Sequence, residues 1–585
     1  MISEKIEKLY FKDLSSNFFF YVLIFIILFS LYQPILFTNA VVNPDYALVT
    51  SPMTSVHSFL DYIKAIKINK ILDIQPIRDL SLAIDIYLAR LVGVRIFEAS
   101  NLLIWLFSTI LLYKIFLLFN LNLLLSRSLI LIYTIYPTFV HTVSWASARK
   151  HLLAYLFILA ATYLALKSLK NKTHKTKDII LIYLFYLSAI FSQPIVLLWP
   201  LWYLLVALVG PAPFKIPESD RKKIIQISIP LIIILIINTT INYYYYNYIY
   251  ITAVGTSKYI LQYDVLGVKF LSIGRSFFQF VYPFVFAITY DPGSIANIIG
   301  LFLLLIFYYL FWKSYAWKNL IVWGSLFFLP LFIVLFRMTK IFLSDSYLLL
   351  SSVSFFIMIL LLAQKIIPFL KVHLNYSIIF YILIFSLFLI TSRNEINLRT
   401  TEEAFVIKSY QREKSCTNII MQIKYLWSIS IIPEALSTSE EFFKKNCQLS
   451  LSDHSLALMG KIAFYNSNIS VNEKLEHLKS LKEIDDKNFF VNILLASTYL
   501  KNGQASFGIQ LFSNTLSDTS TIFDKSVSFD PIINAVIEDF NNLCSSKWVS
   551  INSISSECKI LEKNLCERLK YCHSHYENFL RIFVS

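Results

Sequence analysis

From the N-terminus to about Ile390, long apolar runs alternate with short charged interruptions; after Arg393 the pattern becomes that of an ordinary water-soluble chain. A helix needs roughly 20 apolar residues to cross a bilayer core. Runs of that order lie at 17–38, 97–119, 125–143, 151–168, 178–193, 195–210, 224–243, 295–312, 319–336, 347–365 and 375–391, which predicts eleven crossings. A further apolar piece over 270–289 contains Pro283. Proline removes a backbone donor and kinks a helix, so this piece is predicted to be re-entrant or broken. The first run is too long for a cleaved leader and no small-residue cleavage site follows it, so it reads as an uncleaved first helix. The expected fold class is all-α: a polytopic membrane helical bundle over 1–395, with an outer loop at 40–96, and a helical extracytoplasmic domain over 396–585.

Positive residues mark the cytoplasmic side of a membrane protein. Lys5, Lys8 and Lys12 precede the first run, and Lys170, Lys172, Lys175 and Lys177 separate the fourth from the fifth. Lys215, Arg221, Lys222 and Lys223 follow the sixth, and Lys313, Lys318, Lys365 and Lys371 mark two later turns. Eleven crossings put all of these on one side, and residues 40–96 and 393–585 on the other.

The cysteines bear on the same question. All six lie in the tail: Cys416, Cys447, Cys544, Cys558, Cys566 and Cys572. An even number confined to one soluble segment suggests disulfides, which persist on the oxidising side of a membrane. The alternative is free thiols in a cytosolic tail. A zinc site is disfavoured because no Cys-x-x-Cys pair occurs.

The tail reads as all-helical. Leu495, Ala496 and Tyr499 share one helix face, Asn502-Gly503 makes a turn, and Gly508 and Phe512 recur at helical spacing. These positions are similar to a tetratricopeptide repeat, with a weaker copy about 34 residues earlier, where Leu478 matches Phe512 and Tyr465 matches Tyr499. Any packed helical hairpin would show a comparable pattern. Such a domain could hold a protein or glycan partner, or pack against the membrane part.

Composition adds one exclusion. The chain is 57% hydrophobic and only 15% charged, with a net charge of +15. In a soluble protein that charge would suggest nucleic acid. Here Lys and Arg sit largely between apolar runs, and no basic stretch is interleaved with aromatics for base stacking, so nucleic-acid binding is not expected.

Ionisable groups at membrane depth are costly and therefore functional candidates. Most fall on the predicted outer face. Asp45, in Asn43-Pro44-Asp45-Tyr46, follows the first run closely and could take a proton from an acceptor hydroxyl as general base; the alternative is a turn or cap aspartate. The same loop ends Gln75-Pro76-Ile77-Arg78-Asp79 and continues to Asp85. Adjacent residues on a helix point about 100° apart, so Arg78 and Asp79 are not expected to pair. This stretch either lines a polar cavity or is an amphipathic helix lying on the membrane. Next come Tyr136-Pro137, His141, Trp145 and Arg149-Lys150-His151. Positive charge on the outer side runs against the topology rule. A phosphate or pyrophosphate ligand would account for it, since Arg binds it bidentately and Lys as a point charge; snorkelling cations are the alternative. Ser192-Gln193-Pro194, Arg275, Tyr290-Asp291-Pro292 and Ser344-Asp345-Ser346-Tyr347 face the same side.

The order of these motifs resembles the C-type glycosyltransferase superfamily, in particular bacterial relatives of the transmembrane and tetratricopeptide-repeat O-mannosyltransferases. The resemblance covers about 17–365 together with the repeat-bearing tail. The acidic motif after the first span corresponds to Pro44-Asp45, followed by Ser51-Pro52, and the Gln-Pro-Leu-Arg-Asp motif to Gln75-Pro76-Ile77-Arg78-Asp79. A family Asn matches Asn101, and a Pro–Trp–Arg-Lys series matches Pro137, Trp145, Arg149 and Lys150. A Ser-Lys-Pro turn matches Ser192-Gln193-Pro194, and an Asp/Glu-Arg-Tyr motif matches Asp345-Ser346-Tyr347. The chain departs from the pattern in having Asp45 alone for an acidic pair, His151 for an Asp, His141 for a Glu, Gln193 for a Lys and Ser346 for an Arg.

The resemblance implies a sugar donor on a polyprenyl phosphate, a protein or glycan acceptor, and a bacterial inner (plasma) membrane location with a cytoplasmic N-terminus and a periplasmic C-terminal domain. It implies Asp45 as general base, with Asp79 supporting the site, and Arg149, Lys150 and Arg78 on the donor phosphate. Asp85, Asn101, His141, His151, Gln193, Asp345 and Tyr347 are further candidates. No cofactor is required by the sequence. A divalent cation could sit between Asp45 and Asp79, although no His/Cys cluster has ligand spacing. The competing readings are an O-antigen-type polymerase or ligase, and a non-catalytic scaffold in which a degenerate transferase core presents a periplasmic helical domain. A transporter is disfavoured because no internal repeat with paired broken helices is seen.

Overall fold

The computed structural model describes residues 2–36, 75–92, 96–119, 122–171, 175–210, 221–237, 263–284, 295–315, 317–337, 348–369 and 374–412, and beyond these mainly 416–428, 431–444, 470–484 and 489–504, with a few single positions between and after them. Every regular element among the described residues is a helix. The chain divides into two compact units, Met1–Ser415 and Cys416–Ser585. The division falls after Ser415, whereas the sequence pattern placed it after residue 395. The physical reason is that the helix Glu402–Arg412 is tied to the first unit, with Arg412 donating to Glu395 at 2.6 Å.

In the first unit the helices are α1 (Ile2–Leu36), α2 (Pro76–Val92), α3 (Phe97–Leu118), α4 (Leu123–Thr134), α5 (Pro137–Ser144), α6 (Arg149–Asn171), α7 (Thr176–Ser192) and α8 (Trp199–Val209). They continue as α9 (221–237), α10 (Tyr263–Val281), α11 (Ile295–Ser314), α12 (Trp317–Arg337), α13 (Leu348–Phe369), α14 (Leu374–Asn397) and α15 (Glu402–Arg412). Among the described residues, six helical segments are long and apolar enough to cross a membrane: Asn17–Leu36, Phe97–Leu118, Arg149–Asn171, Ile295–Ser314, Leu348–Lys365 and Ile379–Asn397. The number rises to seven if α4 and α5, bent by 53°, form one broken span. The chain is thus built as a multi-pass membrane protein. Leu103, Phe107, Phe302, Leu305, Phe380 and Leu383 lie exposed on these helices, where a bilayer would cover them.

The predicted piece at 270–289 is a helix that stops at Val281, with Pro283 in the turn beyond it. The helix ends before Pro283 because a residue that precedes proline is driven out of the helical region, and residues 285–289 of this piece lie outside the described residues. The α4–α5 break has a proline cause too. Pro137 opens α5 at its first position, and Tyr136 before it is extended (φ −63°, ψ 120°).

The bundle core is aromatic. Trp105, Tyr133, Phe139 and Tyr155 are buried together, with Trp105 5.2 Å from Tyr133 and 5.4 Å from Phe139 between ring centroids. Their buried hydroxyls are satisfied among themselves: Tyr133 and Tyr155 share a hydrogen bond of 2.5 Å, and Tyr133 lies 3.2 Å from Ser352 Oγ. Elsewhere, small residues let backbones approach. Ser351 donates to Phe327 O at 2.8 Å and Ser354 to Trp323 O, which joins α13 to α12. Gly274 of α10 faces Gly300 of α11 so closely that a Cβ on Gly300 would sit 1.8 Å from Gly274 O. Small interfaces and interhelical hydrogen bonds of this kind replace the hydrophobic drive that lipid does not supply between helices.

Helices α3 and α6 run parallel. At one end Arg149 Nε donates to Asn101 at 2.8 Å, and at the other Lys170 Nζ reaches Leu117 O at 3.5 Å. Helix α7 returns antiparallel to α6, so α3 and α6 begin, and α7 ends, on the same face of the bundle.

The second unit contains α16 (Cys416–Ser428), α17 (Ile432–Lys444), α18 (Val471–Ile484) and α19 (Phe489–Lys501). Ser470 and Glu473 form a capping box at the start of α18: Ser470 N donates to Glu473 Oε2 at 2.7 Å, and Glu473 N to Ser470 Oγ at 3.3 Å. Helices α18 and α19 bury Leu478, Leu494, Leu495 and Ala496. The turn after α19 passes through Gly503 at φ 75°, a left-handed conformation that suits glycine. Of the repeat-like positions, Tyr465 and Phe512 lie outside the described residues.

Candidate polar site at one end of the bundle

The shared face of α3, α6 and α7 carries the polar cluster. It is assembled from residues far apart in sequence. Helix α2 opens at Pro76, a first position that needs no amide donor, with Gln75 just before it. Gln75 Nε2 donates to Gln193 Oε1 at 2.8 Å, which fastens the start of α2 to the end of α7. Gln193 is extended (φ −160°, ψ 122°), because Pro194 follows it and ends the helix.

One helical turn further on, Arg78 and Asp79 form an ion pair. Arg78 Nη2 lies 2.6 Å from Asp79 Oδ1, and its Nε donates to the same oxygen at 2.7 Å. The expectation that neighbouring side chains would point apart is overturned. Three methylenes let the guanidinium curl back, and Asp79 is buried, so its charge requires a partner. The adjacency argument holds for short side chains and fails for arginine.

Asp85, two turns on, meets Arg149, the first residue of α6. The two form an ion pair with side-chain exposures of 7% and 1%. Ser100 donates to the other oxygen of Asp85 at 2.8 Å. Burial pushes the Asp85 carboxyl above the ordinary carboxylate range, opposed by the Arg149 guanidinium and the Ser100 hydroxyl. Arg149 also donates from Nε to Asn101 Oδ1 at 2.8 Å, from Nη2 to Phe97 O at 2.7 Å and from Nη1 to Ser81 O at 3.4 Å. Asn101 in turn donates to Val143 O at 3.2 Å and Trp145 O at 3.0 Å, which holds the connection between α5 and α6. A guanidinium has five N–H donors. Those of Arg149 are largely taken up inside the protein, so it joins α2, α3 and α6 as a node.

Lys150 and His151 follow Arg149 directly. Lys150 is half-buried and His151 buried, and the charges of Lys150 and Arg78 both act on the His151 ring. His141, on α5, is buried with its ring centroid 4.8 Å from that of Trp145. Arg399 donates to His141 Nδ1 at 2.5 Å. A guanidinium can only donate, so Nδ1 accepts and the ring proton of a neutral His141 sits on Nε2. Arg399 is the functional candidate that the sequence pattern did not single out. A cation just past an apolar run reads as a boundary marker, and nothing local signals that it folds back onto α5.

The structure therefore brings together Arg78, Asp79, Asp85, Asn101, His141, Arg149, Lys150, His151 and Gln193. Asp45, Asp345 and Tyr347 lie outside the described residues. So do Cys447, Cys544, Cys558, Cys566 and Cys572, while Cys416 opens α16 without its side chain being described. Among the described residues no three His, Cys, Asp or Glu side chains gather as a metal-ligand set. A cation on Asp79 would compete with the Arg78 guanidinium already there.

Chemically, the cluster gathers the cations of Arg78, Arg149, Lys150 and Arg399, the imidazoles of His141 and His151, and the carboxylates of Asp79 and Asp85, each of these two paired with a guanidinium, while the buried Glu98 in the first turn of α3 adds a third carboxylate at the same end. It offers positive charge and donor groups at one end of an apolar bundle, which is chemistry suited to an anion whose remainder is lipid. No family model matches this chain, and neither the curated proteins nor the solved structures contain a match to it.

Proposed function

We propose that the protein is an integral membrane glycosyltransferase that takes a sugar from a polyprenyl-phosphate donor and transfers it to a protein or glycan acceptor on the non-cytoplasmic face. The observation that carries this reading is the convergence of Arg78, Arg149, Lys150 and His151 with Asp79 and Asp85 at a single end of the bundle. Arg78 and Lys150 hold the donor phosphate, and Arg149 fixes the helices that carry them. Fixed cations that meet developing charge on a leaving phosphate are a large catalytic contribution. Asp45 takes the proton of the acceptor hydroxyl as it attacks the anomeric carbon, and the polyprenyl phosphate departs. Eleven crossings, a cytoplasmic N-terminus and a repeat-like, cysteine-bearing periplasmic domain complete this reading.

The test is transfer from a radiolabelled polyprenyl-phosphate sugar by membranes that contain the full chain. Transfer that disappears in Asp45→Asn, at equal protein level, supports the proposal; unlabelled acceptor with wild type across a panel of sugars contradicts it. One observation favours a second reading, a non-catalytic scaffold. Asp79 and Asp85 are both already ion-paired, as in a purely structural network. A scaffold would retain partner binding by the second unit while showing no transfer.

A further inference from the structure

Helix α2 touches three helix ends within a short length. Gln75 bonds Gln193 at the end of α7, while Asp85 bonds both Arg149 at the start of α6 and Ser100 in the first turn of α3. Ten helical residues rise about 15 Å, roughly half the hydrocarbon core. A helix parallel to the bundle would put Gln75 and Asp85 at depths that far apart. Instead both meet ends that lie on one face, so α2 lies across the bundle end.

Its two faces differ. Asp79, Leu82, Ala83 and Asp85 are buried against the bundle. On the opposite side Leu80, Ile84, Tyr87, Leu88 and Leu91 form a stripe at helical spacing, with exposures of 39%, 50%, 52%, 40% and 66%. Neighbouring α7 presents Ile180, Leu184 and Phe191 outward, and α3 presents Leu103 and Phe107. The stripe thus continues the apolar outer surface of the bundle around its rim.

We propose that α2 is an interfacial helix whose stripe beds into the acyl chains of the leaflet on this side, while its other face is fastened to the bundle by Arg149 and Gln193. The occupant is phospholipid. The stripe adjoins surfaces that only a bilayer covers, and the ionic side chains of α2 described here, Arg78, Asp79 and Asp85, all lie off the stripe. An apolar arc about 100° wide opposite a polar face is the pattern of helices that lie in the interface plane. This arrangement sets Arg78 near the level of lipid phosphates, and it holds whether or not the protein transfers sugars.

The experiment replaces Tyr87 with photoreactive p-benzoylphenylalanine in the full chain, in nanodiscs of phosphatidylethanolamine and phosphatidylglycerol. Phe107, exposed on the α3 span, is replaced in parallel as a lipid-facing reference. After irradiation, mass spectrometry should find phospholipid adducts at position 87 in yield comparable to position 107. Ile84→p-benzoylphenylalanine provides a second site should the first variant express poorly. Adducts at 87 and 84 confined to this chain or a second copy, or no adduct while position 107 labels lipid, would overturn the proposal.

Discussion

Arg149 and Asp85 form a buried ion pair that joins the first residue of α6 to the middle of α2, although the two lie 64 positions apart in the chain. Neither residue is on a surface where water could replace its partner. The pair, with Asn101, Ser100 and Phe97 O, decides how α2 sits on the bundle. Arg149 is therefore best understood as a residue that positions α2 against α3 and α6.

The first prediction concerns that pair. Removing one partner of a buried pair leaves a charge without compensation and costs about 3–5 kcal/mol. Arg149→Met and Asp85→Leu should each lower the thermal midpoint in detergent strongly. The double variant should be markedly less destabilised than the sum of the two, since each single change strands the other charge. Additive losses would show that the two do not act as a unit.

The crossing of α10 and α11 yields a second prediction. A Cβ on Gly300 would meet Gly274 O and C at 1.8 and 2.5 Å, and one on Gly274 would meet Asn297 O at 2.1 Å. Backbone atoms cannot step aside as a side-chain tip can, so the helices must separate. Gly300→Ala should cost about 1–3 kcal/mol, the range for overpacking a tight interface. Gly324→Ala should cost less, because its nearest neighbour is the edge of the Tyr308 ring at 2.8 Å. Thermal unfolding of the two variants ranks them.

The third prediction is a pH dependence in the second unit. The Ser470 N–H, and then its hydroxyl, hold the Glu473 carboxyl below its ordinary value of 4.5. A lowered folded value means that the cap stabilises α18 above the unfolded value and is lost as pH falls through the folded one. Amide hydrogen exchange at the start of α18 should therefore stay protected as pH falls through the ordinary glutamate value and lose protection only at lower pH, relative to its exchange at neutral pH. Glu473→Gln should keep most of the protection and remove the pH dependence, because glutamine can also close a capping box.

The sequence made the helical class and the membrane character legible, because runs such as 97–119 and 295–312 are long and apolar whatever surrounds them. It also singled out most of the polar cluster, since Arg78, Asp85 and Arg149 are conspicuous beside apolar stretches. It did not show who pairs with whom. The Asp85–Arg149 pair, the Gln75–Gln193 bond and the return of Arg399 to His141 are tertiary facts with no local signal. Adjacency misled at Arg78–Asp79, where side-chain length overrode backbone direction. At Pro283 the helix ends at Val281, and the rest of the 270–289 piece, from residue 285, lies outside the described residues.

If Arg78 and Lys150 meet the ligand while Arg149 positions them, the substitutions should separate by what they change. Arg78→Gln and Lys150→Gln should weaken polyprenyl phosphate binding by about tenfold or more, which corresponds to about 1.4 kcal/mol per tenfold. Lys150→Gln should do so with little change in thermal midpoint, because Lys150 is only half-buried. Arg149→Lys should lower the midpoint first. A midpoint unchanged in Arg149→Lys with binding lost would instead put Arg149 on the phosphate.

Binding of a polyprenyl phosphate to the purified full-length protein in nanodiscs tests the central claim most directly, because it asks whether the polar end of the bundle holds a lipid-borne phosphate before any sugar or acceptor is known. Saturable binding that Arg78→Gln and Lys150→Gln weaken is the predicted result. No saturable binding by the wild-type protein, or binding that both substitutions leave unchanged, would contradict it.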